Sequence, residues 1–142
     1  MREILFRGKS TDGEWVEGYY FKGWHWREKR EVNAIIPLNA EVLGWSDLSD
    51  HIDVVPETVG QYTGLTDNCD KKIFEGDIVD FEYGQLKKRG YVFYRDIGAK
   101  FGVREADYDN LSILHVIHVK EWNIRVIGNI HDNPELLKGD LI

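Results

Sequence analysis

Polar and apolar positions alternate with period two in the run Asp77–Tyr83: Ile78, Asp80 and Glu82 fall on one side, Val79, Phe81 and Tyr83 on the other. That alternation predicts a strand with one buried face. Upstream, Ile4–Arg7 predicts a short strand, Lys9–Gly13 a polar turn, and Glu14–Phe21, rich in β-branched and aromatic residues, a second strand of the same hairpin. Trp24, His25 and Trp26 with the charged Arg27–Glu31 predict a further turn region, and Val32–Pro37 a third strand. The pattern dissolves over Leu38–Asp50, and Ile52–Val55 predicts a short edge strand stopped at Pro56, which cannot donate to a ladder.

The stretch Val59–Tyr83 organises the second part of the chain. Its two apolar runs flank the turn-prone Thr66–Asp70, and Gly60, Gly64 and Gly76 stand where positive φ or close strand approach is expected. Gln85–Gly90 predicts a basic loop leading into a strand over Tyr91–Tyr94, which pairs with Asp77–Tyr83 as an antiparallel hairpin. Further strands are expected over Lys100–Arg104, Leu111–Val119 and Ile124–Ile130, with an acidic loop at Glu105–Asn110. Asn133 as N-cap, Pro134 in the first turn and Gly139 beyond the end predict one short C-terminal helix. The expected fold is mainly β: an N-terminal β lobe over 1–55 and a C-terminal lobe over 56–142 built as a compact SH3-like barrel, with strands after Gly60 in meander order.

Composition narrows the function classes. The 142 residues include 13% aromatic side chains and 14 glycines, a balance that favours strands and turns. The net charge of -7 is spread evenly, -4 over residues 1–60 and -3 over 61–142, with no charged tail. Such a field opposes unspecific binding to phosphate backbones. No apolar run approaches the roughly 20 residues that span a bilayer, so no membrane partner and a cytoplasmic location are expected. Cys69 is the single cysteine, which excludes an intrachain disulfide.

Three separated motifs carry a family resemblance: PETVGQYTGL at Pro56–Leu65, IFEGDIV at Ile73–Val79, and VIGNI at Val126–Ile130 with NPELL at Asn133–Leu137. With the opening MREILFRG at Met1–Gly8, the chain resembles the YopX family of phage and prophage proteins along its whole length. It departs from the family pattern at Cys69-Asp70, where an Asn-Gly turn is common, and neither residue takes positive φ as readily as glycine. The resemblance implies a phage-encoded, mainly β protein that self-assembles. It carries over no catalytic residue.

Candidate chemistry is sparse. His115 and His118, with Glu121 nearby, have a spacing that suits metal ligands on a helix, but their context reads as strand, where residues three apart point to opposite faces. Asp67, Asp70, Asp77 and Asp80 suggest an oxygen-rich cluster, yet Lys72 and Ile78 occupy the places a calcium loop gives to glycine and glutamate. They read as solvated turn carboxylates, with Glu75 and Asp77 capping backbone amides or facing solvent. Cys69 lies beside Asp70, a setting that disfavours a thiolate nucleophile. No G-x-S-x-G elbow or phosphate-binding glycine loop occurs. No enzyme, cofactor or metal is expected.

Two binding readings remain. Lys87, Lys88 and Arg89 border a strand in which Tyr91 and Phe93 are expected in the core and Tyr94 opposite, so Lys87, Lys88, Arg89 and Tyr94 form a candidate nucleic-acid surface. A second basic patch, Arg27, Lys29 and Arg30, is interrupted by Glu28 and Glu31. The preferred reading is an interaction module. Of five tryptophans, Trp24, Trp26 and Trp45 fall in turn-like regions, and Trp is enriched at protein interfaces. The chain is expected to form a homo-oligomer through its N-terminal lobe, with a phage or host protein as a further partner.

Overall fold

The computed structural model describes residues 3–38, 51–96, 98–105, 113–115 and 121–138. The strands are β1 Phe6–Lys9, β2 Trp15–His25, β3 Arg30–Pro37, β4 Ile52–Asp53, β5 Gly60–Thr66, β6 Lys72–Phe74, β7 Asp77–Tyr83, β8 Leu86–Arg95, β9 Lys100–Glu105, β10 Ile113–His115 and β11 Arg125–Asn129. They form two antiparallel sheets, ordered β4-β3-β2-β1-β5-β6 and β10-β9-β8-β7-β11. Contacts divide the chain into Met1–Gln61 and Tyr62–Ile142, against the expected lobes 1–55 and 56–142. Residues 56–61 stay with the first unit because Gly60 and Gln61 pair with Arg7 and Phe6, and the Thr58 hydroxyl accepts the Lys9 N–H at 2.8 Å.

In the first unit, β2 and β3 pair from Gly18–Pro37 to His25–Arg30, whereas β1 reaches only as far along β2 as Gly18. Among the described residues the distal half of this hairpin is therefore a two-stranded ribbon. Gly18 is required by that approach: a Cβ there would lie 1.9 Å from the Ile36 carbonyl oxygen. Leu5, Val32, Ala34, Ile35 and Val54 are buried, the four larger side chains each contributing about 1.5–3 kcal/mol of transfer free energy. The chain after β4 returns to β1, where Val54 bridges Ser10 and the Val55 N–H donates to the Lys9 carbonyl at 2.8 Å.

The second unit buries Ile73, Val79, Phe81, Val92, Val103 and Ile124 as one cluster, with Leu65, Phe101, Trp122 and Val126 packed against it. The expected β7–β8 hairpin is present, in register from Ile78–Tyr91 to Tyr83–Leu86. β8, β9 and β10 follow as a meander, but β11 returns to the far side of β7, leaving β10 and β11 as edges. Among the described residues the sheet stays open and no barrel closes. At Asn133 no side-chain cap forms, and a single 3-10 turn over Pro134–Leu137 stands where the short helix was expected.

Several local expectations are corrected by pairing. Lys87–Arg89 belongs to β8 and not to a loop, because Lys87, Lys88 and Arg89 pair with Glu82, Phe81 and Asp80. Glu105 ends β9 and is buried, its carboxylate accepting from Lys88 Nζ at 2.9 Å. Val92, not Tyr91 or Phe93, points into the core; those two rings share the opposite face. Trp24 and His25 are strand residues, leaving a turn of only Trp26–Lys29.

Candidate functional site

The β2–β3 tip gathers two of the expected interface residues. Trp24 is 52% exposed and Trp26 83%. The tip is nonetheless ordered by its own polar groups. Glu28 N–H donates to His25 Nδ1 at 3.0 Å, Lys29 takes φ 51°, and Arg30 pairs with Glu28 and reaches Asp53 at 3.4 Å. The hydrogen bond from Arg30, then its charge and that of His25, holds the Glu28 carboxyl below its usual value. Exposed pairs of this kind add little stability, so their effect is to shape the turn that presents Trp26. Trp45 lies outside the described residues. Of the other tryptophans, Trp15 lies under the Arg7 guanidinium, 4.9 Å from it, and Trp122 packs on Phe81 with centroids 6.3 Å apart.

The proposed nucleic-acid quartet is not brought together. Strand alternation puts Lys87 and Arg89 on one face of β8, Lys88 and Tyr94 on the other. Arg89 is engaged by Asp80, with Nε–Oδ1 at 2.6 Å and Nη2–Oδ2 at 3.2 Å, and Lys88 by Glu105. Tyr94 is exposed and meets Phe101 edge-on, with centroids 5.3 Å apart.

The β5–β6 tip differs from its expected solvated state. Asp67 is only 5% exposed, and its Oδ1 accepts the N–H groups of Cys69 and Lys71 at 2.8 and 2.9 Å while Oδ2 accepts that of Val126 at 2.9 Å. Burial pushes this carboxyl up, but the three backbone donors and the Lys71 charge outweigh it and hold it below 3.8. Asn68 adds a backbone bond to the Ile124 carbonyl at 2.9 Å and a side-chain bond to Asn123. Asp77, expected either to cap backbone amides or to face solvent, is likewise buried and not solvated, and accepts the Phe74 N–H at 2.8 Å. Asp70, exposed, takes the left-handed conformation at φ 63° that glycine would otherwise supply. Cys69 is exposed.

His118 lies outside the described residues, and His115 sits in β10. Among the described residues no three His, Cys, Asp or Glu side chains gather as a metal ion would require. No helix among them is long and apolar enough to cross a membrane.

The family model of the YopX protein matches residues 5–138. The chain belongs to the YopX family. No curated protein matches it. The fold of this YopX chain is similar to the crystal structure of protein EF1440 from Enterococcus faecalis, with TM-score 0.58 and 25% identity over 96% of this chain and 99% of that one.

Sequence reasoning missed two groupings in the YopX chain: the Asp67 clamp, and the Arg104 guanidinium of β9 lying over the β8 rings of Phe93 and Tyr91, 4.5 and 5.8 Å from their centroids. An Asp opening a turn, with amides two and four residues on, is a detectable signal for the first. The second needs the β8–β9 register, which no local pattern supplies.

Proposed function

We propose that this YopX-family chain is a non-catalytic protein-interaction module, encoded by a phage or prophage, that assembles with copies of itself in the cytoplasm of a bacterial host. Trp26, 83% exposed at the end of a two-stranded ribbon with Trp24 beside it, is the observation that carries this reading. Apolar rings of this size, held in water by a turn with its own hydrogen bonds, are the side chains that anchor interfaces, and truncating such an anchor costs about 2 kcal/mol or more of association. The family resemblance, which implies self-assembly, supports the same reading, and a phage or host protein would dock by the same rings.

Light scattering at tens of micromolar tests it. The wild-type chain is expected to run as a multimer, and the Trp24→Ala, Trp26→Ala double variant to weaken association at least about tenfold. Its unfolding free energy in urea, measured at a dilution where both chains are monomeric, is expected to stay within about 0.5 kcal/mol of the wild type, since neither ring is in the core. A wild-type monomer under these conditions overturns the proposal.

A further inference from the structure

Direct cross-strand partners share a face of a sheet. The pairs Arg125–Asp80, Asp80–Arg89, Tyr91–Arg104, Glu82–Lys87 and Arg95–Lys100 therefore all project to one side of the second unit's sheet. At its described strand positions that side carries six cations, Lys87, Arg89, Arg95, Lys100, Arg104 and Arg125, and two carboxylates, Asp80 and Glu82, in a chain whose net charge is -7, and the Pro134–Leu137 turn with Glu135 lies against it where Arg89 Nη1 donates to the Leu136 carbonyl at 3.3 Å. Arg89 pairs with Asp80 across the strands. In the middle stand Tyr91 and Phe93, half-buried, with ring centroids 6.4 Å apart. The Arg104 guanidinium lies 4.5 Å from the Phe93 centroid and 5.8 Å from that of Tyr91, and its Nη1 donates to the Tyr91 hydroxyl at 3.0 Å.

We infer that this face, centred on Tyr91, Phe93, Arg95 and Arg104, binds single-stranded nucleic acid. Charge of one sign collected on one sheet face, against the sign of the whole chain, makes a local field for a polyanion. Rings and a planar guanidinium at the centre of that field match the faces of unpaired bases, and the flanking cations match phosphates. A duplex hides its base faces, and an acidic peptide would use the cations while leaving the rings without a role. The surface shares only Lys87 and Arg89 with the quartet read from the sequence, and nothing with the β2–β3 tip, so it stands or falls independently of self-assembly.

Fluorescence anisotropy with the full chain, at low salt, tests the inference using a labelled mixed-sequence single strand and its duplex. The single strand is expected to bind at least about tenfold more tightly than the duplex, through base stacking. Arg95→Gln with Lys100→Gln is expected to weaken binding about tenfold and to lower the slope of log affinity on log salt by about 1.4, two phosphate contacts' worth. Phe93→Leu is expected to weaken binding about tenfold at unchanged salt slope. Circular dichroism checks that each variant keeps its strands. No anisotropy change with the wild type, equal binding of duplex, folded variants with wild-type affinity, or displacement of the strand by polyglutamate as effective as by unlabelled strand would each overturn it.

Discussion

The β5–β6 tip and the β2–β3 tip are both polar turns completed by a non-glycine residue in the left-handed region, Asp70 at φ 63° and Lys29 at φ 51°. They differ in where their polar groups go. In the first, Asp67 turns inward and takes three backbone N–H groups, one of them 59 residues away at Val126, so the tip is knitted to β11. In the second, among the described residues, the side-chain bonds run within the tip or to Asp53, and the rings of Trp24 and Trp26 are left in water. A turn whose carboxylate satisfies distant backbone donors serves stability. A turn that satisfies itself keeps its apolar side chains available.

The comparison breaks most sharply at Asp67. Replacing it by Ala leaves backbone N–H groups of Cys69, Lys71 and Val126 without their acceptor, and urea unfolding is expected to show a loss of about 2–4 kcal/mol. A loss below about 1 kcal/mol would mean that water replaces the carboxylate and that the two tips are alike. Acid offers a milder version of the same cut. The folded Asp67 carboxyl takes up its proton at lower pH than the unfolded one, so its contribution is complete above about 3.8 and is lost as pH falls through the lower folded value. Urea midpoints measured from pH 6 down to pH 2 should show wild type and Asp67→Asn converging over that range; parallel curves would remove Asp67 from the acid response. The smallest effect is expected from Lys29→Gly. A lysine at φ 51° bears left-handed strain that glycine does not, so thermal unfolding should report a gain of up to about 1 kcal/mol. Asp70→Gly should gain less, since a short polar side chain tolerates that conformation better.

Much of the strand framework was legible because its cause is local. The alternation of Val79 and Phe81 with Asp80 and Glu82 marks β7, and the mainly β character follows from the density of β-branched and aromatic residues. Legibility failed where two faces carry similar residues. β8 places Tyr91 and Phe93 on one side and Val92 and Tyr94 on the other, so hydrophobicity alone does not say which side is core. It failed again where the deciding partner is remote: Lys87–Arg89 reads as a loop until Asp80 and Phe81 are seen across from it, and Asp67 reads as solvated until Val126 is seen above it. The Trp24 and Trp26 candidates were legible as turn-proximal rings, whereas the Tyr91, Phe93 and Arg104 grouping required the register of two strands.

The position of β11 bears on how the protein is made. β7 receives one neighbour at once, through the Gly84–Gln85 turn, but waits for its other neighbour until Arg125–Asn129 has been synthesised. Until then, a nascent chain on the ribosome presents an unpaired β7 edge and an Asp67 carboxylate lacking its third donor, a template that stray strands from neighbouring nascent chains can occupy.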